Sequence, residues 1–517
     1  MEGRHRPRNP ERLWLRAEDA AAPQRYFGRA MDQHVVAEAR PQGPSEGWRT
    51  DAAYWLAQVR QLFSLALPFV LSQLAVGLMS TVTMLFVGRF DVDRVGGVAL
   101  ALSWMNLTGY SLIYGLASAL DSLCAMSFGA GDLRKMTAFL QRGLLIGAMV
   151  CFPVAAAWWV SDFFFGLLQI DIVDAEHATL FLRCSIPALL PVMAFEKIKR
   201  YLQAMHRIGE IVIVTFSGLL LHCSVCYLLV VHMKLGYIGA AFAQSCTYWT
   251  MLTILCYVVF IRDKNHSFEP WVESAFEDWG TYLSLGIPGI LQVMLEWVAF
   301  EITLLEAAWL GRDVLAAQGI LLNICYLSFI VPFSLGQVVS VLVGNQVGAQ
   351  SAKGAKDMIT TSVLSTLCIC GAVSFTFFLG AHNIARLFVT DEHLVSMIGS
   401  VSWIYALYFL SDGLQVTLCG GLRGFGLQRI AAVGALVGFW GLTLPLTYLL
   451  AFKSTAFHGL RGLWAAFMFA ELPLASGYLL YFYVFCDFQS MIKLAAERLS
   501  LTGAEGSNEG NEKEAEP

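Results

Sequence analysis

The strongest constraint on this chain is the recurrence of apolar runs, each about 20 residues or longer and so able to cross the hydrocarbon core of a bilayer. They fall near 62–87, 96–120, 139–160, 178–196, 209–232, 236–261, 281–306, 316–341, 360–381, 397–420, 428–452 and 460–486. Lipid offers no partner to a backbone amide, so each run must satisfy its own N–H and C=O groups as a helix. The expected fold is therefore an all-α membrane protein of about twelve transmembrane helices. Charged residues make up only 14% of the chain, against about 25% in an ordinary soluble domain. A net charge of −5 leaves no footprint for nucleic acid.

The runs form two related sets. SLALP at Ser64–Pro68 returns as SLGIP at Ser284–Pro288, and VGRF at Val87 returns as LGRD at Leu310. FGAGDLRKM follows the second run as VGAQSAKGA follows the eighth, and YLQAMHRI follows the fourth as LRGFGLQRI follows the tenth. Six helices per unit is an even number, so both units point the same way, as parallel repeats about an axis along the membrane normal. This predicts two pseudo-symmetric six-helix lobes. Residues 1–58 are assigned to a disordered cytosolic tail, 59–262 to the N-lobe and 263–280 to a cytosolic inter-lobe loop. Residues 281–486 form the C-lobe, and 487–517 an interfacial helix and acidic tail. Pro68 and Pro288 read equally well as a matched hinge or as tolerated membrane prolines.

Lys and Arg are more frequent in the loops that share a side with both termini, which places both ends in the cytosol. No apolar core follows the basic start, which argues against a signal peptide; Glu11, Glu18 and Asp19 argue against a mitochondrial presequence. The acids of the inter-lobe loop, Glu269, Glu273, Glu277 and Asp278, need no role beyond solvation. The cysteines lie in or beside the runs, so disulfides are not expected to organise the fold. His222, Cys223 and Cys226, in HCSVC, read as groups at a helix interface rather than metal ligands.

One run, VMLEWVAFEITLLEAAWL, carries Glu296, Glu301 and Glu306. A charge near a helix centre costs roughly 2.5–3.5 kcal/mol on insertion scales, so three in one helix call for a use. Asp412 and Glu471 are also intramembrane, Asp121 sits near the inner end of the second helix, and Glu196 sits beside Lys197 and Lys199. Buried bases look scarce, and Arg183 can snorkel outward. A buried acid with no fixed cation can hold a proton or neutralise a bound cation, which is the core of proton/cation exchange. Glu296 lies about 22 Å into its helix, so it can meet Asp412 at one depth. Glu301 points about 140° away from Glu296, and Glu306, near the helix end, is expected to snorkel to the outer interface. Glu471, which precedes Pro473, reads equally well as a bond to a neighbouring helix or as a functional acid. Trp297, Phe300 and Trp309 beside the acids suit cation–π contact.

These segments carry a resemblance to the multidrug and toxic compound extrusion (MATE) family, eukaryotic branch, over about residues 60–490. The marks are SALDSLCAMSFGAGD from Ser118, RYLQA from Arg200, LEWVAFE from Leu295, VPFSLGQVVSVLVGNQVGA from Val331 and GGLRGFGLQ from Gly420. The resemblance implies an antiporter that works by alternating access and is coupled to H⁺ or Na⁺. It implies that Glu296 is the main proton or cation site, with Glu301 and Asp412 as further coupling or substrate residues. It gives Asp121 as the family's second-helix acid. Thr83 stands where many bacterial relatives carry an Asp, which moves coupling toward the C-lobe, and Asn323 stands where some animal members have Glu. Met126 and Val298 depart from a common Gln and a frequent Trp, which bears on substrate range. Gln73, Thr83, Asp121, His222, Trp297 and Asn323 are candidates for lining or structural roles.

The expectation is a proton-driven exporter of small organic cations and xenobiotics, monomeric in the plasma or vacuolar membrane, without a cofactor or metal. Export of organic anions such as citrate or flavonoid conjugates, and flipping of a lipid-linked precursor, are the alternatives; both call for basic cavities. No H-E-x-x-H or G-x-S-x-G motif appears, so an enzyme is not expected.

Overall fold

The computed structural model describes residues 47–261 and 272–497, and among these it contains helices and no strands. The membrane helices are α1 (Gly47–Phe90), α2 (Val92–Gly129), α3 (Leu133–Trp159), α4 (Ile172–Ala204), α5 (Ile208–His232) and α6 (Gly236–Ile261) in the first half. The second half holds α7 (Trp279–Leu310), α8 (Arg312–Gly348), α9 (Ala352–Ala385), α10 (Ser402–Gly424), α11 (Gln428–Lys453) and α12 (Leu460–Phe485). Eleven of these are long and apolar enough to cross alone; α10 becomes the twelfth with the short helix Glu392–Gly399, bent 53° from it. α1 begins at Gly47, inside the stretch 1–58 read as a tail; residues 1–46, 262–271 and 498–517 lie outside the described residues. Residues 488–497 form a further helix, whose Ile492 and Ala495 are buried against the second lobe.

The repeat is visible in backbone detail. Asp132 caps α3 by accepting from the Lys135 N–H at 2.9 Å, and Ser351 caps α9 by accepting from the Gly354 N–H at 3.2 Å. The residues just before these caps, Gly131 and Gln350, are both left-handed (φ 78° and 57°), as are His206 and Gly426 ahead of α5 and α11. The two proline segments share a burial pattern, with Leu62, Leu65, Ala66 and Phe69 buried in one and Tyr282, Leu285, Gly286 and Gly289 in the other.

Those two segments are exchanged between lobes. Leu62, Leu65, Ala66 and Phe69 of α1 join a core built by Leu335, Leu342 and Leu418 of the second half. Tyr282 and Leu285 of α7 join a core built by Leu116, Phe139 and Tyr201 of the first. Each lobe thus clasps the first helix of the other on one side of the bundle, the side that carries the end of α6 at Ile261 and the start of α7 at Trp279. Here this is called the loop side.

Lipid is as apolar as leucine, so close packing rather than water exclusion must hold such a seam. Small residues permit it. A side chain on Gly129 would run into the Asn345 carbonyl, and one on Gly348 into the Met126 carbonyl. Gly115 and Ile290 touch backbone to backbone. Toward the far side the contacts reach Gly77 against Tyr326 and Tyr114 against Trp297, whose rings are 6.0 Å apart. Beyond them Leu85 (65%) and Trp309 (76%) are exposed.

Gly129→Val should therefore lower the detergent-solubilised melting temperature, at a cost of about 1–3 kcal/mol from overpacking. Gly477→Ala, which meets open space, should not lower it. Equal melting of both variants would contradict the close-packed seam.

Candidate functional site

α7 turns one stripe into the protein, at Gly289, Gln292, Glu296, Ala299, Thr303 and Glu306. Steps of three and four residues keep these on one face. That face brings Glu296 (9% exposed) toward Asp412 of α10 (1%) and Glu471 of α12 (0%). The three carboxylates lie within electrostatic reach of one another. None has an ion-pair partner among the described residues. Asp412 Oδ2 and both Glu471 carboxylate oxygens are buried without a hydrogen-bond partner. Arg423 is the one base within electrostatic reach of Glu296 among the described residues.

The wall around these acids is aromatic. The Tyr408 ring packs at 5.3 Å from Trp464 and 5.7 Å from Phe467, and its hydroxyl lies 3.7 Å from Cys325 Sγ. Carboxylates backed by aromatic rings can hold an organic cation by charge and by cation–π attraction. In its absence the same oxygens can take protons.

Glu296 and Asp412 are thus brought together, and Glu471 joins them, a placement sequence reasoning had left open. Glu301 is not brought in: it is exposed on the opposite face of α7. Glu306 does not snorkel. It is 7% exposed and faces Thr447 of α11, because it lies on the buried stripe. Asn323 is exposed and its amide donates to the Gly319 carbonyl of its own helix at 2.8 Å. Trp297 stacks edge-on to Tyr114 across the seam.

The remaining candidates lie in the first lobe. Thr83 (2%) meets His222 Nε2 at 3.0 Å. His222 Nδ1 lies 3.2 Å from Thr247 Oγ1, which itself donates to the Ala243 carbonyl at 2.8 Å. With Thr247 accepting from Nδ1–H, Nε2 accepts from Thr83, and Cys226 Sγ lies 3.5 Å from the same nitrogen. The ring is used up by neutral partners beside a small cavity that reaches Ser80 and Gln244. Gln73 Oε1 accepts from Lys199 at 3.4 Å. Asp121 is ion-paired to Arg200 at 3.1 Å.

The expected scarcity of buried bases is corrected. Arg142, Lys197, Lys199, Arg200 and Arg423 are all at most 7% exposed. They sit at loop-side helix ends, which the opposite lobe covers. Most are committed: Lys199 to Glu196 at 2.6 Å, Arg200 to Asp121, and Arg142 to the carbonyls of Ser274 and Asp278 at 2.7 and 3.0 Å. Lys197 donates to the Tyr282 hydroxyl at 3.1 Å. Arg183 does reach outward, to the Trp159 carbonyl and Asp162.

The MatE family model matches residues 68–228 and 288–449, two copies that start at Pro68 and Pro288. The chain belongs to the MatE family. Multidrug and toxin extrusion protein 2 of Mus musculus is 33% identical over 421 residues, covering 81% of this chain and 73% of that protein. Protein DETOXIFICATION 14 of Arabidopsis thaliana is 30% identical over 419 residues, covering 79% and 85%. The crystal structure of the eukaryotic MATE transporter AtDTX14 superposes with a TM-score of 0.80 at 27% identity, covering 86% of this chain and 99% of that one. This MatE protein is accordingly a multi-pass membrane transporter.

Removing one carboxylate from the cluster should matter more than removing one from the exposed face. Glu471→Gln should reduce counter-transport of tetraethylammonium in proteoliposomes about tenfold or more, a tenfold loss corresponding to about 1.4 kcal/mol. Glu301→Gln should stay within about twofold of the unmodified protein, well under 1 kcal/mol. The reverse ranking would place the site on the other face of α7.

Proposed function

We propose that this MatE transporter exports small organic cations and xenobiotics in exchange for protons, by alternating access between its two lobes. The observation that carries this reading is the cluster of Glu296, Asp412 and Glu471, buried together without a paired base. Negative charge there is too costly to persist unpaired, so the cluster holds protons, cargo or a mixture. Cargo arriving from one side displaces a proton, and a proton arriving from the other displaces cargo. Exchange of one monovalent cation for one proton moves no net charge and draws on the pH gradient, about 1.4 kcal/mol or a tenfold cargo gradient per pH unit.

Both termini belong in the cytosol on this reading, from the loop distribution of Lys and Arg. The loop side is then cytosolic, and the closed loop-side seam corresponds to an outward-facing arrangement. Sodium is the alternative coupling ion, and the plasma or vacuolar membrane the expected location.

Export of an organic anion has one observation in its favour, the buried Lys197, which donates to the Tyr282 hydroxyl and forms no ion pair among the described residues. It is set against a cluster of three acids, which repels an anion.

Proteoliposomes with an imposed pH gradient, and separately a sodium gradient, test the reading. Tetraethylammonium should accumulate with the pH gradient, and Glu296→Gln and Asp412→Asn should abolish this while reconstituting normally. Full activity in both variants, or movement of citrate with none of tetraethylammonium, would overturn it.

A further inference from the structure

Most of the segments that carry the family resemblance are not used by the acid cluster. Apart from LEWVAFE, they converge on the loop-side seam. SALDSLCAMSFGAGD supplies Asp121 and Ser122, and RYLQA supplies Arg200, all from the first lobe. VPFSLGQVVSVLVGNQVGA supplies Gln337, and GGLRGFGLQ supplies Arg423 and Gln428, from the second.

These six side chains meet across the lobe boundary. Arg200 is ion-paired to Asp121 at 3.1 Å within the first lobe and donates to Gln337 Oε1 across the seam. Arg423 Nε stands 3.9 Å from Asp121 Oδ2, also across it. Ser122 Oγ donates to the Arg423 carbonyl at 2.5 Å, and Gln428 Nε2 donates to Ser122 Oγ at 2.6 Å. All six are buried, none more than 7% exposed.

A seam meant only to stay closed gains little from buried ions, because desolvation offsets their attraction. A seam that must open gains a good deal. When hydrocarbon faces part into water, the full burial energy is lost; when charged groups part, they hydrate. Here the closed state also leaves Arg200 Nε, and Arg423 Nε and Nη2, without hydrogen bonds. Opening would satisfy them. Closed and open states are thereby held close in free energy, as a gate between two populated arrangements requires.

We propose that Asp121, Ser122, Arg200, Gln337, Arg423 and Gln428 form a polar latch that keeps the loop side of the transport path shut. Asp121 is its joint, since it holds a base from each lobe. These are positioning residues: they set which side is open and do not touch cargo. The inference rests on the alternating-access reading but not on which ion drives it.

Hydrogen–deuterium exchange of the full chain in detergent micelles tests it. Asp121→Asn should speed amide exchange at the loop-side seam, in 115–129 and 336–348, by about tenfold or more, and leave 92–105 and 436–453 unchanged. Gln337→Leu, which keeps the volume and cuts only the bond to Arg200, should give the same pattern more weakly. It also decides the matter should Asp121→Asn fail to fold. Exchange that rises evenly over all segments, or that stays unchanged in both variants, would overturn the latch. Proton-driven transport with no loop-side change sinks the latch alone; loop-side opening without proton-driven transport sinks the coupling alone.

Discussion

Everything in the second lobe depends on keeping three carboxylates out of water without a cation beside them. A charge in such a place costs several kcal/mol unless something neutralises it. Among the described residues none forms an ion pair with these acids. Glu296, Asp412 and Glu471 come from three separate helices, α7, α10 and α12, and an aromatic wall of Tyr408, Trp464 and Phe467 closes behind them. On the proposed reading, what neutralises them arrives from outside, which makes the cluster a place of exchange rather than a structural ion pair. The contrast lies within the same chain: Glu196 is equally buried but holds Lys199 at 2.6 Å, and so has no charge to offer a visitor.

On the alternating-access reading, the lobes give that cluster two exits in turn. The swapped segments of α1 and α7 lock each lobe to the other on the loop side, while toward the far side of the same helices Leu85 and Trp309 are exposed. Glycines at the seam set how closely the lobes approach, and the polar groups among them set how readily they part. The cluster in α7, α10 and α12 lies in one lobe, so the lobes can rock about it without dismantling it. The first lobe has a counterpart without charge, where Thr83, Thr247 and Cys226 surround His222. That neutrality agrees with coupling through the second lobe.

Much of the fold was legible because lipid allows so few solutions. Run length gave the helices, and the SLALP/SLGIP and FGAGD/VGAQS pairs gave the two lobes. Helix ends were less legible: α1 runs back to Gly47 through residues too mixed in polarity to read as a spanning run. The meeting of Glu296 with Asp412 followed from depth alone. The role of Glu471 did not, because a helix sequence shows that a residue is buried but not which neighbour it faces. Periodicity did hold the answer for Glu306, which lies ten residues from Glu296 on the same buried stripe. The buried bases were missed for a related reason. Arg142, Lys197 and Arg200 stand near helix ends, where sequence reads an interface with water, and only the packing of one lobe over the other removes them from it.

The central claim is that cargo and proton compete for the same three acids. Proton release on cargo binding tests it most directly. Purified protein in weakly buffered detergent solution at neutral pH would be titrated with tetraethylammonium while a pH indicator records protons set free. The account predicts about one proton released per cation bound, the exchange that leaves the site's charge unchanged. Saturable binding with no proton release would contradict it.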